Sequence, residues 1–166
     1  MAAPRVAVVV PAWNAAAFIE KTLATVAAQT FKDYEVIVVD DGSSDETQLV
    51  VDRFLKSQGL RGQCIKQENK KIAGARNTGI RAAGADLIAF LDHDDLWFPE
   101  KLARTMAEFE AHPDADVVCH DENIIRNGEL VRVSHNGPLA PNMYEKLLFE
   151  GNALSPSATT VKKSKL

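Results

Sequence analysis

The 166-residue chain reads as an α/β protein, a mostly parallel central sheet with helices on both faces, on three observations. Short β-rich runs alternate with helical patterns as far as His120, the rhythm of successive βα units. Runs such as Val6-Ala7-Val8-Val9-Val10 are apolar without alternation, which suits strands covered on both faces. Strands separated by helices join through right-handed crossovers, so their carboxyl ends share one edge of the sheet.

The elements follow in order. A strand over residues 5–10 leads to a helix opened by Asn14, with Phe18, Ile19, Thr22, Leu23 and Val26 on one face. Residues 35–40 form a second strand. Ser43, with Glu46 three residues on, makes a capping box for a helix that carries Leu49, Val50 and Phe54 inward. A weaker strand falls over 63–67 and a short helix over 73–83. The strand over 86–91 precedes a helix opened by Pro99, with Leu102, Met106 and Phe109 inward. Residues 116–120 make a fifth strand. Beyond it the rhythm changes, because Asn127-Gly128 between Ile124-Ile125 and Leu130-Val131 is a type I′ hairpin signal. A helical stretch over 141–151 follows, and the tail from Ser155-Pro156-Ser157 to Lys165-Leu166 shows no closing element.

Composition narrows the class. One domain over 1–166 is expected, residues 1–120 as the ligand-binding half and 121–166 as the start of a second half. A formal charge of −4 lacks the basic surplus of a nucleic-acid binder, so no nucleic-acid partner is expected. Cys64 and Cys119 stand far apart without neighbours at ligand spacing, which argues against a disulfide framework or a zinc site and fits a reducing compartment. The apolar run after Met1-Ala2-Ala3-Pro4-Arg5 is too short for a signal sequence or a membrane span. A cytoplasmic location is expected, with peripheral attachment to the inner face of a membrane left open.

The feature hardest to explain by folding alone is Leu87-Ile88-Ala89-Phe90-Leu91-Asp92-His93-Asp94-Asp95, a buried-strand pattern ending in three carboxylates. Unpaired charges at the edge of a core are costly, so such a cluster points to a cation. Mg²⁺ or Mn²⁺ suits aspartate oxygens and completes its shell with phosphate. A strand order of 3-2-1-4 would bring this tip beside Asp40-Asp41-Gly42-Ser43 and Pro11-Ala12-Trp13-Asn14, at the point where ligands bind in open α/β sheets.

Four ordered blocks carry a family resemblance: Val8-Val9-Val10-Pro11-Ala12-Trp13-Asn14; Val38-Val39-Asp40-Asp41-Gly42-Ser43-Ser44-Asp45; Ala75-Arg76-Asn77-Thr78-Gly79-Ile80; and Leu91-Asp92-His93-Asp94-Asp95-Leu96-Trp97 with Pro99 and Lys101-Leu102. In these the chain resembles the nucleotide-sugar-binding half of family 2 inverting glycosyltransferases of the GT-A, Rossmann-like fold. The resemblance implies a metal-dependent transferase that moves a sugar from a nucleotide-diphospho-sugar, a UDP-sugar above all, to an acceptor hydroxyl with inversion. Its cofactor would be Mn²⁺ or Mg²⁺. The acceptor could be a saccharide, a lipid-linked group or a protein.

By the same resemblance, Asp95 is a direct metal ligand and Asp94 faces the ribose or the metal, while Asp92 supports the turn or a bound water. Asp41 reads the pyrimidine N3–H. Pro11, Ala12, Trp13 and Asn14 line the base pocket, Trp13 lying against the ring, although Asn14 serves equally as a helix N-cap and Trp13 as core. Arg76 and Asn77, at the start of a short helix, meet the diphosphate or a base carbonyl. Lys70-Lys71 depart from the family, where a Gly pair is frequent. His120, Asp121 and Glu122 read as structural. The family's general base lies well downstream of the acidic block, beyond Leu166, so a nucleotide-sugar-binding module without turnover is the alternative. A phosphoacceptor signalling domain leaves two of the blocks without a role. No Gly-rich turn follows the first strand as a dinucleotide-binding fold requires, and the acidic run lacks the glycine of an EF-hand loop.

Overall fold

The computed structural model describes residues 3–137, 145 and 154–166. The first strand, β1 (Val6–Ala12), is buried along its whole length. It is followed by α1 (Ile19–Ala27), β2 (Tyr34–Asp40), α2 (Thr47–Gln58), β3 (Gly62–Lys66), α3 (Lys71–Ala82), β4 (Leu87–Phe90) and α4 (Lys101–Ala111). Then come β5 (Val117–Cys119), the hairpin β6 (Glu122–Arg126) and β7 (Glu129–Ser134), a 3-10 turn Pro156–Ala158, and β8 (Thr159–Lys162). The main sheet runs β3-β2-β1-β4-β8-β5, and β6-β7 form a separate pair.

The expected 3-2-1-4 order is the observed one, with β3, β2, β1 and β4 all parallel. Alternate residues of β1 feed two cores: Val6, Val8 and Val10 pack with α1, α2 and α4, whereas Ala7 and Val9 pack in the cluster that includes Ala75 of α3. The apolar run is thus explained by helices on both faces. The expected inward Leu102, Met106 and Phe109 are the buried positions of α4. The hairpin turns at Asn127 and Gly128, both with positive φ as a type I′ turn requires.

Several local expectations are corrected. Asn14 does not open α1, which starts at Ile19; its φ of 47° makes it a left-handed corner, a conformation that Asn tolerates. Phe18 is exposed rather than inward. Ser43 and Glu46 make no capping box, since α2 begins at Thr47 and its first N–H is accepted by Asp45 Oδ1 at 3.0 Å. Leu49 faces solvent, and Val51, Phe54 and Leu55 carry that helix's inner face. The helical stretch expected over 141–151 lies outside the described residues except for Glu145.

The largest correction is the tail. It supplies β8, which pairs antiparallel with β4 on one side and β5 on the other. Four residues, Thr159-Thr160-Val161-Lys162, three of them β-branched, form a strand buried at its centre because the gap between β4 and β5 satisfies their backbone on both edges. Among the described residues no helix is long and apolar enough to cross a membrane.

Candidate active site at the strand ends

Hydrogen bonds draw the carboxyl ends of β2, β1 and β4 together. The Asp41 N–H donates to Ala12 O at 2.8 Å, the Asn14 N–H to Ser43 Oγ at 2.9 Å, and the Ser44 N–H to Asn14 Oδ1 at 2.9 Å. On the other side the Leu91 N–H donates to Val9 O at 3.1 Å, and His93 Nδ1 lies 3.2 Å from Pro11 O. In a parallel strand alternate residues address the same neighbour, so Pro11, like Val9, faces β4. The β1–β4 pairing ends at Val9 and Phe90, so the N–H that proline lacks costs no ladder bond. Ladder pairing stops there, at the switch point of the sheet, the place where open α/β folds form a binding crevice.

Each residue singled out from sequence lies along this edge except where noted. Pro11 and Ala12 are buried, and Asn14 is exposed. Trp13 is 55% exposed, which removes the reading of it as core. Asp41 is buried; its Oδ1 accepts from Gln67 Nε2 at 2.6 Å and from the Lys70 N–H at 2.8 Å, and its carbonyl accepts from Asn69 Nδ2 at 2.9 Å. Gln67 is in turn held by the Thr78 hydroxyl at 2.7 Å. Asp40 is fully buried, and its Oδ1 accepts the Ser43 N–H three residues on at 2.9 Å, which fixes the loop after β2.

Arg76 and Asn77 are not at a helix start. Helix α3 begins five residues earlier, at Lys71, so any ligand contact would come from their side chains rather than from free N–H groups. Arg76 Nη2 donates to Asp92 Oδ1 at 2.6 Å, a half-buried ion pair, and Arg76 Nε has no partner among the described residues. Asn77 is exposed on the same helix. The Lys70-Lys71 departure is informative, because Lys71 adopts φ 64°, the left-handed conformation that glycine takes without strain.

At the acidic tip the three carboxylates differ. Asp92 is paired with Arg76, and Asp94 is exposed. Asp95 is half-buried, and its Oδ2 accepts from Ser157 Oγ at 2.5 Å. Burial raises the Asp95 pKa; the Ser157 bond opposes that, and the charges of Asp94, Asp92 and Glu122 add to it. This surplus of negative charge matches a divalent cation in kind. Among the described residues no three His, Cys, Asp or Glu side chains form a metal centre by themselves. Two carboxylates with room for phosphate oxygens are the donor set that suits Mg²⁺ or Mn²⁺.

From Asp94 and Asp95 a groove of about 1350 Å³ runs between α4 and the β5–β6 segment, lined also by Lys101, His120, Glu122 and Ser157. It does not reach Trp13 or Asp41. Glu122 accepts from Ser155 Oγ at 2.7 Å and Asn136 Nδ2 at 3.1 Å, and Asp121 accepts from the Asn136 N–H at 3.1 Å and lies 2.7 Å from His135 Nδ1. Burial lowers the His120 pKa and pushes that of Lys101 down to about 7. Sequence reasoning missed Gln67 and Ser157. Gln67 was within reach, since it follows β3 at the same edge; Ser157 had no local signal.

The glycosyl transferase family 2 model matches residues 7–159. An uncharacterized glycosyltransferase of Nostoc sp. is 32% identical over 151 residues, covering 90% of this chain and 47% of its own length. The chain therefore spans about half of that relative. The crystal structure of S. aureus TarS 1-349 in complex with UDP superposes with a TM-score of 0.76 at 25% identity, over 96% of this chain and 47% of that one. The mannosyltransferase PcManGT from Pyrobaculum calidifontis, in complex with GDP-Man and Mn²⁺, gives 0.72 at 25% identity over 98% of this chain and 45% of that one.

Proposed function

Because the chain belongs to glycosyl transferase family 2, we propose that its crevice binds a UDP-sugar together with Mn²⁺ or Mg²⁺, and that the sugar passes to an acceptor hydroxyl with inversion. The observation that carries this reading is the meeting of three strand ends, from β1, β2 and β4, at one switch point. The relatives in complex with UDP and with GDP-Man and Mn²⁺ support the class of donor and cofactor.

The geometry supports a role for each residue. The exposed Trp13 ring offers a face to a base, an interaction on the order of 1–3 kcal/mol by analogy with stacked bases. Asp41 is held through Oδ1 by Gln67 and Lys70, so its other oxygen can accept the pyrimidine N3–H. The ion pair with Asp92 fixes the Arg76 guanidinium, whose positive charge would face the diphosphate. Asn77 and Asn14 would add polar contacts at the rim. Asp94 and Asp95 would hold the cation, which when bound stabilises negative charge developing on the departing diphosphate.

A binding module without turnover is the second reading, and one observation favours it. Of the acidic groups that follow β5, Asp121 is held below the ordinary carboxylate pKa by its bonds from His135 and Asn136, which makes it a poorer base toward an acceptor hydroxyl.

Calorimetry tests the first reading. UDP should bind the native chain more tightly with Mn²⁺ than without it, GDP more weakly than UDP, and Asp95→Ala should abolish the Mn²⁺ effect. UDP binding that ignores both the metal and the substitution would refute the metal role. Release of UDP from a UDP-sugar that depends on added acceptor would decide against the module.

A further inference from the structure

Ser157 lies 62 residues from Asp95 in sequence, yet its hydroxyl is hydrogen-bonded to that carboxylate. The Asp92 N–H donates to Ser157 Oγ at 3.0 Å, and Ser157 Oγ donates to Asp95 Oδ2 at 2.5 Å. A hydroxyl has one proton to give and an ionised carboxylate can only accept, so the direction of the second bond is set. Asp95 Oδ2 must accept. The Asp95 N–H closes the same turn by donating to Asp92 O at 3.1 Å.

We infer that Ser157 is a positioning residue, holding Asp95 in one orientation so that only Oδ1 is offered to the divalent cation. The inference rests on the metal reading above. A carboxylate held through one oxygen would present the other to the cation, and holding it before the cation arrives lowers the cost of ordering it at binding.

The hydroxyl is not needed to anchor its own segment. The 3-10 turn is fixed by backbone contacts: Ser157 O accepts from Trp97 Nε1 at 2.9 Å, the Ala158 N–H donates to Ser155 O at 3.2 Å, and β8 pairs on both edges. Ser157 is itself 3% exposed, so no water competes freely for its proton. A buried serine placed by a strand between β4 and β5 thus acts on the cation through Asp95.

The test measures Mn²⁺ affinity at saturating UDP, from the electron paramagnetic resonance signal of free Mn²⁺, alongside calorimetric UDP affinity without metal. Ser157→Ala and Ser157→Cys should weaken Mn²⁺ binding by about tenfold or more. Their metal-free UDP affinity and circular dichroism should match the native chain, and Ser157→Thr should restore Mn²⁺ binding. Native Mn²⁺ affinity in Ser157→Ala overturns the inference, as does an equal loss of metal-free UDP binding, the mark of a structural role alone. A native chain whose UDP binding ignores Mn²⁺ instead overturns the metal reading on which this one stands.

Discussion

Lys71 carries the clearest backbone strain in the chain. Its φ of 64° opens α3 directly after Lys70, whose N–H holds the Asp41 carboxylate, so the left-handed turn orients a residue of the proposed base pocket. An L side chain in that conformation costs roughly 1–2 kcal/mol, of which glycine's greater freedom in the unfolded chain takes back about 0.5–1. Lys71→Gly should therefore stabilise the fold by about 0.5–1 kcal/mol, read from urea unfolding, and leave UDP affinity unchanged. A loss of stability would mean that the lysine side chain contributes more than its backbone costs. Asn14 shows the contrasting case. Its left-handed turn is compensated by its own Oδ1, which accepts the Ser44 N–H. The sequence could show that a Gly pair was replaced; it could not show that the backbone had kept the conformation glycine prefers.

At the scale of elements, α3 sits unusually close to the sheet. A Cβ on Gly79 would fall inside the contact radius of Val9 Cγ1, and Ala7 and Ala75 line the same face. Gly79→Ala should push α3 off β1 and destabilise the protein by about 1–3 kcal/mol, with Arg76 and Thr78 moved from Asp92 and Gln67. Urea unfolding reads the first effect and UDP calorimetry the second; native values for both would show that the helix shifts without strain. The four parallel strands and the inner face of α4 were legible because apolar runs and helical periodicity are local signals. Starts of α1 and α2 were not, because Asn14, Ser43 and Thr47 bind across two loops, and Asp45 rather than Ser43 accepts the first N–H of α2. The acidic tip could be read from residues 87–95 alone. Its partner Ser157 could not, since Thr159-Thr160-Val161-Lys162 becomes a strand only when β4 and β5 offer it two edges.

For the molecule as a whole, β8 is the join between the parallel sheet and β5, and Lys101 ties α4 to it. Lys101 Nζ donates to Thr160 Oγ1 at 2.8 Å and lies 4.2 Å from the centre of the Trp97 ring, with only 7% of the residue exposed. Burial pushes its pKa down to about 7 from an ordinary 10.5. Between those two values the unfolded chain binds a proton that the folded chain does not, so stability rises with pH across the window. Below about pH 7 both states are charged and the whole penalty is present, on the order of a few kcal/mol. Lys101→Met removes the titration but leaves the buried Thr160 hydroxyl without its partner, a loss of about 1–3 kcal/mol at every pH. The difference between the two proteins must therefore change with pH. Urea unfolding at pH 7 and pH 10 should show Lys101→Met losing ground to the native chain as pH rises, by a few kcal/mol over the interval. A constant difference would mean that Lys101 stays charged inside the fold throughout, held by Trp97 and Thr160 against the cost of burial.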